Sequence, residues 1–260
     1  MPPFTHSIVI PCYNESARVG SSLEKIVAYT ENRGWKTEIL VVNDGSRDNT
    51  AEIVRSFGLR YPNVRLIENP GNRGKGYSVR NGVLNATGDV ILFTDADLSS
   101  PIEESEKLFG ALEAGADVAL GSRWLRSELQ SYRQPLYRQL LGRLFNFALR
   151  LVLGLHFKDT QCGFKAFTHQ AAQTIFPRQR IDRWGFDPEI VYLARKFKMR
   201  TVEIPVSWAH DHRSKINPLV DGSKMMWEML RVRGNDLAGR YEQPSFTPPA
   251  QSAPVEKLAR

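Results

Sequence analysis

Asp89-Val90-Ile91-Leu92-Phe93-Thr94-Asp95-Ala96-Asp97-Leu98-Ser99-Ser100-Pro101 is the stretch on which the fold turns. Val90 to Thr94 is an apolar, β-branched and aromatic run, short enough for a buried strand. Two aspartates follow one residue apart, and Pro101 suits the first turn of a helix. In an open parallel sheet, ligands lie outside the carboxyl ends of the strands, so a strand ending in Asp-x-Asp presents two carboxylates to a ligand. Such a pair repels unless a cation lies between. Hard divalent cations take oxygen ligands, often one or two carboxylates plus substrate phosphates. The stretch reads as a metal–diphosphate site; taken alone it reads equally as solvated aspartates capping the next helix.

Strands recur upstream at Ile8 to Ile10, Glu38 to Val42 and Val64 to Ile67, separated by helical periodicity. Ser16 is placed to cap the first helix, whose apolar positions are Val19, Leu23, Ile26, Val27 and Thr30. Each strand is followed by a polar group: Pro11-Cys12-Tyr13-Asn14-Glu15, Asn43-Asp44-Gly45-Ser46 and Asn72-Arg73-Gly74-Lys75-Gly76. This alternation implies βαβ units in an α/β, doubly wound, mostly parallel sheet, with the polar groups on one edge. A lone Asp44 or Lys75 would read as a cap or a solvated charge.

Downstream, a helix is expected from Glu103 to Ala114 and a strand from Asp117 to Leu120. From Arg123 to Arg150 six arginines (123, 126, 133, 138, 143 and 150) face one acid, Glu128. A helix over Pro135 to Leu155 carries Gln139, Arg143, Asn146 and Arg150 as one polar stripe on an apolar cylinder. That cylinder is either core or an apolar arc meeting lipid while arginines meet phosphate. Nucleic acid is not the expected partner, because the basic stretch has no aromatic stacking array. Further strands are expected at Phe164 to Phe167 and Thr201 to Trp208, and Asp187 and Pro188 suit the N-cap and first position of a helix reaching Phe197. His210 and His212 lack a third ligand nearby and read as solvated loop residues.

The chain has 260 residues, 42% hydrophobic and 24% charged, with a net charge of +7 that suits an anionic partner. Two cysteines, Cys12 and Cys162, are too few for a disulfide scaffold and are expected as reduced cytoplasmic thiols. No signal peptide or membrane span is evident. One domain is expected over 1–240, with its basic amphipathic segment at 123–155, followed by a proline-rich disordered tail over 241–260.

The four polar groups at the strand ends, in order and spacing, resemble glycosyltransferase family 2. That resemblance implies a nucleotide-diphospho-sugar transferase fold of the glycosyltransferase A type. Pro11, Tyr13, Glu15 and Asp44 would hold the base and ribose. Asp95, Ala96 and Asp97 would form the Asp-x-Asp motif, Asp95 and Asp97 carrying Mg2+ or Mn2+ on the diphosphate, with Lys75 and Lys215 adding positive charge on the donor. Asp159-Thr160-Gln161-Cys162-Gly163-Phe164-Lys165 and Arg183-Trp184-Gly185-Phe186-Asp187 narrow the resemblance to polyprenyl-phosphate hexosyltransferases, nearest the dolichyl-phosphate β-glucosyltransferases. Gly142 stands where the mannosyl branch has serine, and Arg213 is the nearest stand-in for an arginine of that branch.

The implied activity is inverting transfer of glucose from UDP-glucose to a polyprenyl (dolichyl or undecaprenyl) phosphate at the cytoplasmic membrane face, the protein being peripheral. Asp97, Arg123 and Arg138 are the expected catalytic residues, and Arg123, Arg138 and Arg143 the expected acceptor-phosphate ligands, since arginine's planar fork suits phosphate. The alternatives are a GDP-mannose donor, a hydroxyl acceptor with Glu189 or Asp187 as base, and a non-enzymatic membrane scaffold.

Overall fold

The structure is a computed structural model that describes residues 4–125, 147, 150–209 and 218–246. Seven strands form one sheet: β1 His6–Cys12, β2 Thr37–Asn43, β3 Val64–Glu68, β4 Val90–Thr94, β5 Val118–Ser122, β6 Phe164–Thr168 and β7 Thr201–Pro205, in the order β3-β2-β1-β4-β6-β5-β7. Pairings β1–β2, β1–β4, β2–β3 and β5–β7 are parallel, as the alternation of strands and helices requires. β6 differs. It runs antiparallel between β4 and β5, with Leu92 opposite Ala166 and Leu120 opposite Lys165.

Helices cover both faces. On one face α1 Val19–Asn32, α2 Thr50–Arg60 and α4 Ser105–Glu113 bury Leu23, Ile26, Val54, Leu108 and Leu112 against Ile8, Ile39 and Leu92. On the other, α3 Lys75–Leu84, α5 His169–Ile175, α6 Phe186–Lys196 and α7 Pro218–Leu237 enclose Val79, Ile175, Ile190, Met229 and Val232 with Val9, Phe93 and Phe167. Strand residues alternate between these two cores, which is why β1, β2 and β4 read as unbroken apolar runs.

Some local expectations differ from what forms. Arg18 occupies the N-cap of α1 without a side-chain capping bond, and the Ser16 amide instead donates to Asp48 Oδ2 at 3.1 Å. Gly185, not Asp187, is the N-cap of α6, because Asp187 is drawn inward to a buried lysine. Helices α5 and α7 were not anticipated at all. Nor does the tail begin at Tyr241: that residue is fully buried, its hydroxyl donates to Glu189 Oε1 at 2.7 Å, and Ser245 N reaches Pro177 O at 2.8 Å. Of the expected helix over Pro135 to Leu155, residues 147 and 150–153 are helical, and 154–155 lie beyond the helix.

Candidate active site

Strand order reverses between β1 and β4. The chain steps outward from β1 through β2 to β3, then crosses to β4 and continues the other way. Beyond the carboxyl ends at such a switch point lies the ligand crevice of an open α/β sheet. The polar groups singled out from the sequence border it.

From β1 come Pro11 and then Tyr13, Asn14 and Glu15. Asn14 sits in the left-handed region (φ 56°), which asparagine tolerates because its side chain bonds locally. Its Oδ1 accepts from Arg47 N at 2.8 Å and its amide donates to Ser46 Oγ at 2.9 Å, stitching the first polar loop to the second. Tyr13 is exposed, and Glu15 pairs with Arg18.

Asp44 follows β2 and is buried. Its carboxylate accepts from Asn69 Nδ2 at 2.8 Å, Arg73 N at 2.9 Å and Gly74 N at 2.8 Å, so it anchors the Asn72–Gly76 loop from below. The loop's glycines have a steric reason. A Cβ on Gly74 (φ 110°) would overlap the Asp182 carbonyl, and one on Gly76 would lie 2.5 Å from Ile181 O and 2.7 Å from Phe186 Cβ.

Between these glycines stands Lys75, at the start of α3. It is not a solvated surface lysine: its Nζ lies 2.5 Å from Asp95 Oδ1 and 5.5 Å from the centre of the Trp184 ring. Burial opposes its charge, but the carboxylates of Asp95 and Asp187 outweigh that and hold its pKa above the ordinary lysine value.

Asp95, Ala96 and Asp97 leave β4 in a turn in which Leu98 N donates to Asp95 O at 3.1 Å. Leu98 is held at φ 48°, a strained conformation for a branched residue. Ala96 points inward and its carbonyl accepts from Ser22 Oγ at 2.6 Å, so the two aspartates flank a buried, fixed centre. Asp97 Oδ1 accepts from Ser99 N at 2.9 Å, and its Oδ2 lies 3.9 Å from Arg18 Nη1. Gly163 packs directly on Asp95, leaving no room for a Cβ.

Among the described residues no cluster of three or more His, Cys, Asp or Glu could hold a metal by itself. Asp95 and Asp97 fit a different kind of site. Two hard oxygen donors at a crevice edge suit Mg2+ or Mn2+ when substrate phosphates and water complete the shell.

Behind this edge lies a layer of paired charges. Lys165 and Asp187 are both buried, with Nζ 2.5 Å from Oδ1, and Lys165 also donates to Cys162 O at 2.5 Å. Burial pushes the Asp187 carboxyl up, against the pull of Lys165 and Lys75. Burial likewise pushes the Cys162 thiol up to about 12, which suits an inert reduced cysteine.

Arg123, expected at the acceptor phosphate, is engaged within the fold. Its guanidinium forks onto Asp159, with Nε 2.7 Å from Oδ2 and Nη2 2.9 Å from Oδ1, and its amide adds a third bond at 3.0 Å. Burial alone would raise the Asp159 carboxyl, but Arg123 overcomes this and holds it below the usual range. The pair is itself braced by Glu203, which accepts from the Asp159 amide and the Ser122 hydroxyl at 2.7 Å each.

Glu189 and Asp187 are not open to a substrate. Glu189 is fully buried and accepts from Arg180 N, Ile181 N and the Tyr241 hydroxyl. Arg138, Arg143, Lys215, Gly142, Arg213, His210 and His212 lie outside the described residues. Sequence reasoning passed over Arg18, and it quoted Asp159, Gly163, Lys165 and Trp184 only within the two motifs that narrow the resemblance, without a site role. Only Arg18, three residues after Glu15, had a legible partner.

Comparison with known proteins gives a consistent result. The family model described as "Glycosyl transferase family 2" matches residues 7–176. A dolichyl-phosphate beta-glucosyltransferase of Trichomonas vaginalis is 39% identical over 240 residues, covering 87% of this chain and 70% of that protein. The Homo sapiens protein of the same name is 33% identical, covering 90% and 76%. Among solved structures, glucosyl-3-phosphoglycerate synthase from Mycobacterium tuberculosis with Mn2+, UDP-glucose and phosphoglyceric acid superposes with a TM-score of 0.65 at 19% identity, over 93% of this chain and 81% of that one.

Proposed function

This chain belongs to glycosyl transferase family 2, and from that premise we propose that it moves glucose from UDP-glucose onto a polyprenyl phosphate of the dolichyl type, aided by Mg2+ or Mn2+, at a membrane surface. Membership makes it an enzyme, a hexosyltransferase, rather than a non-enzymatic scaffold. One observation carries the finer reading: Asp95, Asp97 and Lys75 meet at the switch point between β1 and β4. The names of the relatives support the glucosyl group and the dolichyl-phosphate acceptor. UDP-glucose and Mn2+ in the structural neighbour support the donor and the ion.

In this reading Pro11, Tyr13, Glu15 and Asp44 hold the base and ribose, and Asp95 and Asp97 would hold the cation on the diphosphate. When bound, the cation supplies positive charge to the departing UDP, so no leaving-group acid is needed. Lys75 holds Asp95 in place and sets a fixed ammonium beside the phosphates; Lys215 adds to that field. The acceptor phosphate, with a second pKa near ~6, is already anionic at neutral pH and attacks the anomeric carbon with inversion. Arg138 and Arg143 orient it, and catalysis is mainly positioning and charge stabilisation. Arg123, tied to Asp159, becomes a positioning residue that fixes how the chain leaves β5 toward those arginines.

A hydroxyl acceptor would need a general base. Burial of Glu189 and Asp187 favours the phosphate acceptor over that alternative. No helix among the described residues is long and apolar enough to cross a membrane.

The donor is tested by thermal shift with Mn2+ and a panel of nucleotide sugars. A ligand that binds only the native state raises apparent stability by mass action. UDP-glucose should stabilise the protein more than GDP-mannose at equal concentration; the reverse order would assign the mannosyl branch.

A further inference from the structure

We propose that the outward face of α7 docks this protein on an anionic lipid bilayer, a surface that deepens the proposed function by naming where the membrane is met. The inner face of α7 is defined by Met229, Val232 and Asn235, all buried. At 3.6 residues per turn, Trp227, Leu230 and Leu237 fall on the opposite pole. They are exposed by 66%, 50% and 84%. A helix at a protein surface ordinarily turns polar residues outward. Here the outward pole is apolar and its borders are basic, with exposed Lys224 and Arg231 on one side and exposed Arg233 on the other.

Two acids of this helix, Glu228 and Asp236, lie on its inner side and are engaged. Glu228 accepts from Gly185 N at 2.7 Å, and Asp236 pairs with Lys196 at 2.7 Å. An apolar strip bordered by cations is the pattern of a helix lying in a lipid interface, its rings and leucines below the headgroups and its cations at the phosphates. The strip also leads to the crevice. Gly185, bonded to Glu228, follows Trp184, which is 47% exposed and stands against the Lys75 ammonium that holds Asp95. Tryptophan, with an apolar body and a polar tip, is enriched at membrane interfaces. Docking through α7 would thus bring the donor crevice beside the headgroups, where a lipid phosphate resides.

The test is co-sedimentation of the full chain with phosphatidylcholine–phosphatidylglycerol vesicles. Wild type should bind, and W227E/L230E should lower the partition coefficient about tenfold or more, because two carboxylates replace the inserted groups. K224E/R231E should weaken binding to these vesicles but not to pure phosphatidylcholine. Both variants alter exposed side chains, so melting temperatures should stay near wild type. Transfer to a short-chain polyprenyl phosphate dispersed in detergent should persist in both, since neither touches the crevice. If wild type transferred sugar to no polyprenyl phosphate yet still bound vesicles through α7, the proposed function would fail and the docking surface would stand. Vesicle binding by W227E/L230E equal to wild type would overturn the proposal. So would a change from dimer to monomer with binding intact, assigning the face to a second copy, or a large loss of melting temperature with binding intact, assigning it to another segment of the chain.

Discussion

Gly163→Ala isolates the placement of Asp95 from the chemistry of its carboxylate. An added Cβ would lie 2.6 Å from Asp95 Cγ and 3.0 Å from Oδ1. Carbon atoms rest at about 3.5–4.0 Å, so something must move by about 1 Å. The strand cannot easily yield, because β6 is paired on both sides, with Phe164 opposite Thr94 and Lys165 opposite Leu120. Asp95 is the free end and shifts, leaving Lys75. A displacement of about 1 Å in a positioned group can cost ~10²-fold in rate, which corresponds to about 2.7 kcal/mol of barrier. Stability should change less than activity, since the Lys75 ammonium keeps the Asp187 carboxylate as a compensating charge when Asp95 shifts. Steady-state transfer across a Mn2+ titration, together with a melting curve, reads both effects. Turnover within about threefold of wild type, with an unchanged Mn2+ requirement, would refute the placement of Asp95.

Other perturbations probe the surrounding scaffold. Arg123→Ala leaves the buried Asp159 carboxylate unpaired, and denaturant unfolding should show a loss of about 3–5 kcal/mol; a negligible loss with a raised KM for acceptor would return the fork to the phosphate. Burial pushes Glu189 up to about 7, so its proton-linked contribution to stability is complete below about pH 4.5 and is lost as pH rises through 7. Stabilities from urea unfolding at pH 5.5 and 8.5 should therefore differ by a term of about 2 kcal/mol that Glu189→Gln removes; an identical pH slope in the variant would contradict this. Ending the chain after Arg240 deletes Tyr241, a fully buried ring, and should cost about 3–5 kcal/mol by analogy with other large aromatic deletions. A truncated chain as stable as wild type would restore the expectation of a disordered tail from residue 241.

Much of the crevice was legible because its parts are local. Val90 to Thr94 is apolar and short, Asp95 and Asp97 follow at once, and each neighbouring strand ends in its own polar group. Sheet order then gathers them without further information. What was not legible depends on partners far apart in the chain. Arg123 and Asp159 are separated by 36 positions, so nothing near Arg123 shows that its fork is already engaged. The antiparallel course of β6 has no periodic signature, since strand direction comes from connectivity and not from side-chain alternation. Helix α7 escaped notice because Trp227, Leu230 and Leu237 on one face and Met229 and Val232 on the other blur the amphipathic period. Tyr241 was hidden by its setting among prolines and small polar residues, where a single anchoring ring leaves no repeat.

The central claim is transfer of glucose from UDP-glucose to a polyprenyl phosphate at the Asp95–Asp97 edge. Incubating the protein with radiolabelled UDP-glucose, Mn2+ and dolichyl phosphate, then extracting into organic solvent, tests it directly. The account predicts label in the organic phase, abolished by EDTA and by Asp97→Asn while the variant keeps its melting temperature. Label confined to the aqueous phase, or organic-phase label undiminished in Asp97→Asn, would contradict it.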